Sequence, residues 1–513
     1  MKISKYIIGG AVALSMGFTS CVDDLNVDPE NPTTKTSLNS ADDYYGLLAR
    51  AYGGLVLEGG ISVDDGGAGV YTRQLFNLQE LPTDEAIVGY NWADAGIQEL
   101  GFSTWSSDNH WLYECYSRFM YQIALCNEFL RQSSGAEQFI APEEVNAMRC
   151  EARTLRALSY YHLIDLFGRG PWSTENTSIG VTPPTYDRKQ LFEATVADLK
   201  DAIPGLIPAA KQVYGRVSRE AGKMLLAKLY LNAEVYTGEG MWQECADVCN
   251  DIRTTISTLA PEYKYLFCAS NDKYVGNGEI LWAIPQDTYT LTTYGGTTYL
   301  GIGAYNGEVN LEKFGLDNNG WGGPRVQPEL SKALDKADKR RLIYEGDMSE
   351  SLTDLNSWKA DGSGYMCVKY VYTTEDNYEN ADGALTNKNP FNSADFPLFR
   401  LADTYLMLAE CELNGATGCN GLDRLNDVRQ RAGLAAVGAY TADDLLEERH
   451  CELYWECHRR SDLIRFGKFS GSSYNWEWKG GTQAGAATES TRDLMAIPAQ
   501  FVPTVGQNPG YVG

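Results

Sequence analysis

Apolar residues recur at the i, i+3, i+4, i+7 spacing of one helical face in several parts of this chain. In residues 145 to 168 that face includes Tyr160, Leu163 and Phe167, and Gly168, Gly170 and Pro171 end the predicted helix. Leu226, Leu229, Tyr230 and Ala233 form a second stripe within residues 218 to 236. Gly238 and Gly240 then separate it from a third helix through Ala246 and Ile252. Further on, Ala402, Tyr405, Leu406 and Ala409 form another stripe, followed by a helix over 422 to 431. A long helix is predicted from about 443 to 466, carrying Leu446, Leu453, Cys457 and Ile464. Helices that come in pairs across short Gly-containing turns predict a mainly α fold of tetratricopeptide-like units, each needing a neighbour to bury its face. The units are degenerate, with no strict internal repeat, and together they predict a superhelical scaffold.

Two regions break this pattern. Residues 58 to 110 are rich in Gly, Asp and aromatics, and residues 262 to 395 alternate Tyr, Thr, Gly and Asn with few short strand-like runs such as 279 to 284. Long irregular segments inside a compact domain are commonly functional, so the ligand surface is expected there.

The N terminus has its own pattern. Lys2 and Lys5 precede an apolar run from Tyr6 to Phe18 that is too short for a permanent membrane span and ends in small residues before Cys21. Residues 1 to 20 therefore read as a secretory signal. The stretch Phe18-Thr-Ser-Cys21 resembles a bacterial lipoprotein signal, which implies acylation of Cys21; Phe18 departs from the usual Leu. Two or three acyl chains anchor stably where one would not. Residues 21 to 40 form the lipidated cysteine and a polar, flexible tether with Asp23, Asp24, Pro29 and Pro32. Acidic residues directly after such a cysteine resemble the surface-export signal of Bacteroidetes lipoproteins, so the globule, one domain over 41 to 513, is expected outside the cell on the outer membrane. The twelve cysteines become eleven without Cys21, an odd number, so mostly buried thiols are expected.

Charge and missing motifs narrow the function. The net charge of −25 argues against phosphate polyanions as partners. The chain has four histidines and no His-Glu-x-x-His, P-loop or Gly-x-Ser-x-Gly motif, so no catalytic residue, metal site or cofactor is expected, with structural calcium left open. Cys245 and Cys249 are one helical turn apart, but no second pair lies at zinc-site spacing. With 68 Asp and Glu, some carboxylate pair could always be proposed for a glycosidase, so that signal is empty.

The positive signal is aromatic. Tyr90, Trp92, Trp105 and Trp111 lie in or beside the first irregular region, and Tyr289, Tyr294, Tyr299, Tyr305 and Trp321 in the second, among Asn, Gly and Asp. Aromatic rings offer an apolar face and, in Tyr and Trp, a polar edge, which complements the C–H face and hydroxyl rim of a sugar. A neutral glycan fits this supply better than any charged ligand.

Several motifs in order resemble the SusD/RagB family of Bacteroidetes nutrient-uptake lipoproteins. They include Asn77-Leu-Gln-Glu-Leu-Pro-Thr-Asp-Glu85, the run from Arg153 to Gly168, the hairpin from Lys223 to Gly238, and Phe396-Pro-Leu-Phe-Arg-Leu-Ala-Asp-Thr-Tyr405. Asn426-Asp-Val-Arg-Gln-Arg-Ala-Gly433, Arg449, Glu452, Arg459, Asp462 and Gln507-Asn-Pro-Gly-Tyr511 complete the set. Cys457 stands where the family generally has Gly. The charged signature residues read as ion pairs that define the fold and say little about the ligand.

The resemblance implies a lipid-anchored, cell-surface glycan-binding protein that delivers oligosaccharides to a SusC-like TonB-dependent transporter and breaks no bond. Tyr71-Thr-Arg73, the run from Thr293 to Leu300, Asn319-Gly-Trp321 and the stretch from Trp476 to Gly481 are similar to the family's starch-binding archetype, in which an aromatic arc cradles a curved α-glucan. By position this implies stacking by Tyr294, Trp321 and either Tyr90 or Trp92, with Arg73 and Asn91 bonding hydroxyls. An α-glucan is the favoured ligand; a β-glucan, hemicellulose or host glycan is the alternative. A transporter-capping scaffold with little glycan affinity, and a glycoside hydrolase, are the rivals from other classes.

Overall fold

The structure, a computed structural model, describes residues 38 to 512 apart from 59–66, 90–91, 93, 306–313, 316–319, 354, 356–361 and 380–389. Cys21 and the tether to residue 37 thus lie outside the described residues, as do Tyr90 and Asn91.

Helix α1 (Ala41–Val56) opens on a Ser40 side-chain cap, with Asp42 and Asp43 in its first turn where the helix dipole favours acids. Helix α2 (Tyr71–Gln79) leads through a turn to strand β1 (Ala86–Ile87). Then come the two long helices α3 (His110–Gln132) and α4 (Pro142–Leu166), packed on each other and ended by Gly168 in the left-handed region at φ 67°. Helices α5 (Arg188–Ala202), α6 (Arg219–Leu231) and α7 (Trp242–Arg253) continue the array; α5 starts on a capping box of Asp187 and Gln190. Strand β2 (Ile280–Ile284) falls within the predicted strand-like run. After β3 (Arg325–Val326) and β4 (Phe396–Arg400) the chain returns to helices: α8 (Leu401–Leu413), α9 (Gly421–Arg431), α10 (Ala442–Leu453) and α11 (Arg459–Arg465). Packing of α6 on α7 and of α8 on α9 is the predicted helical pairing, and α3 on α4 and α4 on α5 extend the array. One continuous apolar core runs from Ala51 to Val505.

Three predicted elements differ. The first irregular region contains α2, whose nine residues are all buried and whose apolar positions Tyr71, Leu75 and Leu78 span only two turns. The helix predicted over 218 to 236 breaks at Asn232, with a separate turn at Ala233–Thr237. The long helix predicted from 443 to 466 is two helices, because Trp455 and Cys457 adopt φ of 60° and 67°, which no right-handed helix permits. Glycine meets such a φ without strain, which gives the exceptional Cys457 a physical context.

Buried charge holds the C-terminal helices. Arg400 bonds Glu279 at 2.7 Å, Glu452 at 2.9 Å and Glu456 at 2.6 Å, all essentially without exposure. Arg449 bridges Asp403 at 2.9 Å and Asp462 at 2.8 Å, and Arg459 grips Asp84 at 2.7 Å, tying α11 to the segment before β1. The signature charges are thus internal ion pairs. All eleven cysteines from Cys115 to Cys457 are free and buried, in line with the expectation of mostly buried thiols.

Candidate functional site

A two-residue antiparallel ladder brings the two irregular regions together. Ala86 of β1 pairs with Val326 of β3, and Ile87 with Arg325. The antiparallel sense sends the chain after Ile87 and the chain before Arg325 off the same end of the ladder, so the segments that carry Trp92 and Trp321 leave it at one end. Gly323 shows the proximity directly: a Cβ there would lie 3.2 Å from the edge of the Trp92 ring. The Trp321 backbone is fixed by its N–H donating to the Ile302 carbonyl at 3.0 Å.

A second close approach brings in Tyr294. Backbone meets backbone where Gly67 lies against Tyr294 and Gly295, and Gly67 sits at φ 79°, so neither position has room for a side chain. The turn at Gly67 leads through Val70 into α2, which carries Arg73. The Tyr294 ring meets Trp321 edge-to-face, centroids 5.7 Å apart at 60°, and Phe391 at 4.9 Å and 45°. Tyr294 is 40% exposed, so part of its ring is open to a ligand.

Arg73 lies beneath this cluster at 4% exposure. Its guanidinium sits 4.4 Å from the Tyr299 ring centre and 5.2 Å from that of Trp111, and it forms an ion pair with Asp94. The Trp92 indole N–H also donates to Asp94, at 2.5 Å. Asp94 therefore holds Trp92 and Arg73 in one frame while remaining 22% exposed itself. Burial pushes the Tyr299 phenol well above the usual range, against the lowering effect of the Arg73 charge.

Among the residues expected from sequence, Arg73, Trp92, Tyr294 and Trp321 thus lie in one neighbourhood, with Tyr90 and Asn91 outside the described residues. Trp105, Trp111, Tyr299 and Tyr305 are core residues with at most 1% exposure. Asp94 and Phe391 were not anticipated: Asp94 was legible only as an acid two residues after Trp92, and nothing in the sequence marks Phe391. Among the described residues no group of three or more His, Cys, Asp or Glu is arranged to hold a metal ion, and no helix is long and apolar enough to cross a membrane.

Known proteins share both the sequence and this architecture. A model of the SusD family matches residues 344–511. The chain is 30% identical over 572 residues to the starch-binding protein SusD of Bacteroides thetaiotaomicron, covering 99% of both chains. It belongs to the SusD family. Another relative, the SusD-like protein P25 of Formosa agariphila, is 27% identical over 515 residues, covering 91% of this chain and 90% of that one. Among solved structures, the surface glycan-binding protein A of Bacteroides thetaiotaomicron, in complex with laminarihexaose, superposes with a TM-score of 0.72 at 18% identity. That match covers 92% of this SusD-family chain and all of the other, and establishes the shared fold.

Proposed function

We propose that this SusD-family protein captures a glycan at the cell surface on the platform formed by Trp92, Tyr294 and Trp321. The observation that carries this reading is the Tyr294–Trp321 pair: two rings held 5.7 Å apart at 60°, one of them well exposed, on a rigid frame. Stacking on sugar C–H faces needs fixed, partly exposed rings, and the pair supplies them. Asp94 accepts from a sugar hydroxyl at the rim, and Arg73 positions Asp94 from below.

An α-glucan is the favoured ligand. Rings set at 60° cannot both lie flat on an extended ribbon, whereas a curved chain can present successive faces to each. The relative named a starch-binding protein supports this choice, since similarity there spans the whole chain. A curved β-glucan is the second reading, favoured by the same ring angle.

The protein is anchored through acylated Cys21, faces the cell exterior, and passes its glycan to a SusC-like TonB-dependent transporter without cleaving it. No cofactor takes part. The one carboxylate placed at the platform among the described residues, Asp94, is engaged by Arg73 and the Trp92 indole.

Calorimetry of the mature, detergent-solubilised protein against amylopectin, laminarin, xyloglucan, xylan, levan and mannan tests the reading. Binding to amylopectin without release of reducing ends is expected. Silence across the panel would return weight to a scaffold that caps the transporter.

A further inference from the structure

A groove of about 440 Å³ runs along α1, lined by Tyr45, Tyr52, Val56, Leu57, Tyr214 and Leu291 among others. Ten large apolar residues are well exposed among the described residues. Five of them, Leu57, Val213, Tyr214, Tyr289 and Tyr294, line this groove or lie within three residues of one that does. So uneven a distribution marks a surface built to be covered. On α1 the groove takes Tyr45, Ala49, Tyr52 and Val56, a second stripe at helical spacing beside the one that enters the core.

Of the groove's tyrosines Tyr214 is exposed, while Tyr45 and Tyr52 are half-buried against the core with their hydroxyls held by fixed partners. The Tyr45 hydroxyl donates to Glu144 at 2.8 Å, and that of Tyr52 donates to Glu151 at 2.5 Å while accepting from the Val217 N–H at 3.0 Å. The Tyr214 hydroxyl donates to Asp395, leaving its ring 54% exposed. With their polar ends already satisfied, these rings offer carbon faces alone. Arg216, held by both oxygens of Glu151, sits at the rim as a donor.

The groove lies next to the platform. Leu291 lines it and Tyr294 follows three residues later, at most about 11 Å along the backbone.

We propose that this groove is an extended saccharide subsite, in which further sugar rings of a long glycan held at Tyr294 and Trp321 stack on Tyr214, Tyr45 and Tyr52 with their hydroxyls toward water and Arg216. The proposal rests on the platform reading given above. A glycan reaching both places binds as a linked pair of weak sites, so affinity rises with chain length.

The test is calorimetry of the mature, detergent-solubilised protein with maltotriose, maltoheptaose and amylopectin, and with laminaritriose, laminarihexaose and laminarin. The variants are Tyr214→Ala, Tyr214→Phe and Trp321→Ala. Tyr214→Ala is expected to weaken the longest ligand of the bound series about tenfold, the equivalent of ~1.4 kcal/mol, and to leave the trisaccharide unchanged. Tyr214→Phe keeps the ring and is expected to match wild type, which separates stacking from the Asp395 bond. If Tyr214→Ala matches wild type at every length while Trp321→Ala abolishes binding, the subsite is wrong and the platform stands. Binding that survives Trp321→Ala undiminished overturns the platform and, with it, a subsite that extends it. No binding of either series by wild type overturns both. A dimer in solution that Tyr214→Ala dissociates would assign the groove to a second copy of the chain and overturn the saccharide subsite.

Discussion

The ring of Tyr294 stands at 60° to that of Trp321, close enough for an edge-to-face contact that fixes both. The angle is a statement about ligand shape. A flat β-1,4-linked ribbon can lie on one of the two faces, whereas a curved chain can use both. Maltoheptaose is therefore expected to bind at least tenfold more tightly than cellohexaose, as measured by calorimetry; equal affinities would mean that the ring angle plays no part in selection.

Asp94 carries two loads at once, since it accepts from the Trp92 indole and pairs with Arg73. Asp94→Ala removes both and is expected to cost about 2 kcal/mol of stability, in the range of a hydrogen bond to a charged group. It should also weaken glycan binding by releasing Trp92. Asp94→Asn keeps an acceptor oxygen and should retain more affinity than Asp94→Ala. Urea unfolding together with glycan titration of both variants reads the two effects separately.

The pH dependence of stability follows from buried groups of opposite sign. Burial pushes both Glu80 and Glu85 up, Glu85 to about 7, and Glu80, raised further by the neighbouring Glu85, well above the usual range. Burial also raises Asp395 to about 7. A carboxyl raised in the folded state is fully favourable below its unfolded pKa near 4.3 and loses that contribution as pH climbs toward 7. Burial drives His162 and His450 down to about 3, so between about 6.5 and 3 they oppose folding more strongly as pH falls. Between about pH 4.5 and 6.5 the two sets act in opposite directions and partly offset each other. Below that window the carboxyl contribution is complete while the histidine penalty still grows, and Glu452, held down to about 2 by Arg431, Arg400 and Arg340 despite burial, loses its stabilising charge. Thermal denaturation should show a near-plateau from about pH 4.5 to 6.5 and a steep fall on the acid side. Glu85→Gln should become more stable relative to wild type as pH rises across the plateau; a constant difference would mean that Glu85 is ionised throughout.

Cys457 sits at φ 67° with its thiol buried. A left-handed backbone costs a side-chain-bearing residue about 1–2 kcal/mol, so Cys457→Gly relieves strain while forfeiting the buried thiol and adding chain entropy. These terms nearly offset, and a change within about 1 kcal/mol is expected. Cys457→Val, with a β-branched side chain at the same φ, should cost more than 2 kcal/mol. Denaturant midpoints order the variants, and a glycine variant less stable than the valine one would contradict the backbone argument.

Much of the scaffold was legible because its helices each keep one apolar face, and the 3.6-residue period survives in stripes such as Leu226, Leu229 and Tyr230. Helix α2 does keep Tyr71, Leu75 and Leu78 at helical spacing, but its nine residues are too short a run, beside a Gly- and Asp-rich segment, for the period to stand out. The break at Trp455 and Cys457 was invisible because Leu453, Cys457 and Ile464 keep helical spacing across it, while positive φ leaves no mark on composition. Trp92 and Trp321 could be singled out by type and family position, but their meeting depends on the pairing of Ile87 with Arg325, 238 residues apart in sequence, which no local pattern encodes. Most of the aromatic supply proved to be core, since Trp105, Trp111, Tyr299 and Tyr305 pack inside and ring chemistry alone does not distinguish the two fates. Asp94 emerged only from geometry, as the acceptor common to two neighbours.

The central claim is that glycan is held on Trp321. Calorimetry of Trp321→Ala against the polysaccharide that wild type binds, with circular dichroism to confirm that the variant is folded, tests it most directly. Loss of at least tenfold in affinity with an unchanged fold is the predicted result. A folded variant that binds as tightly as wild type would contradict it.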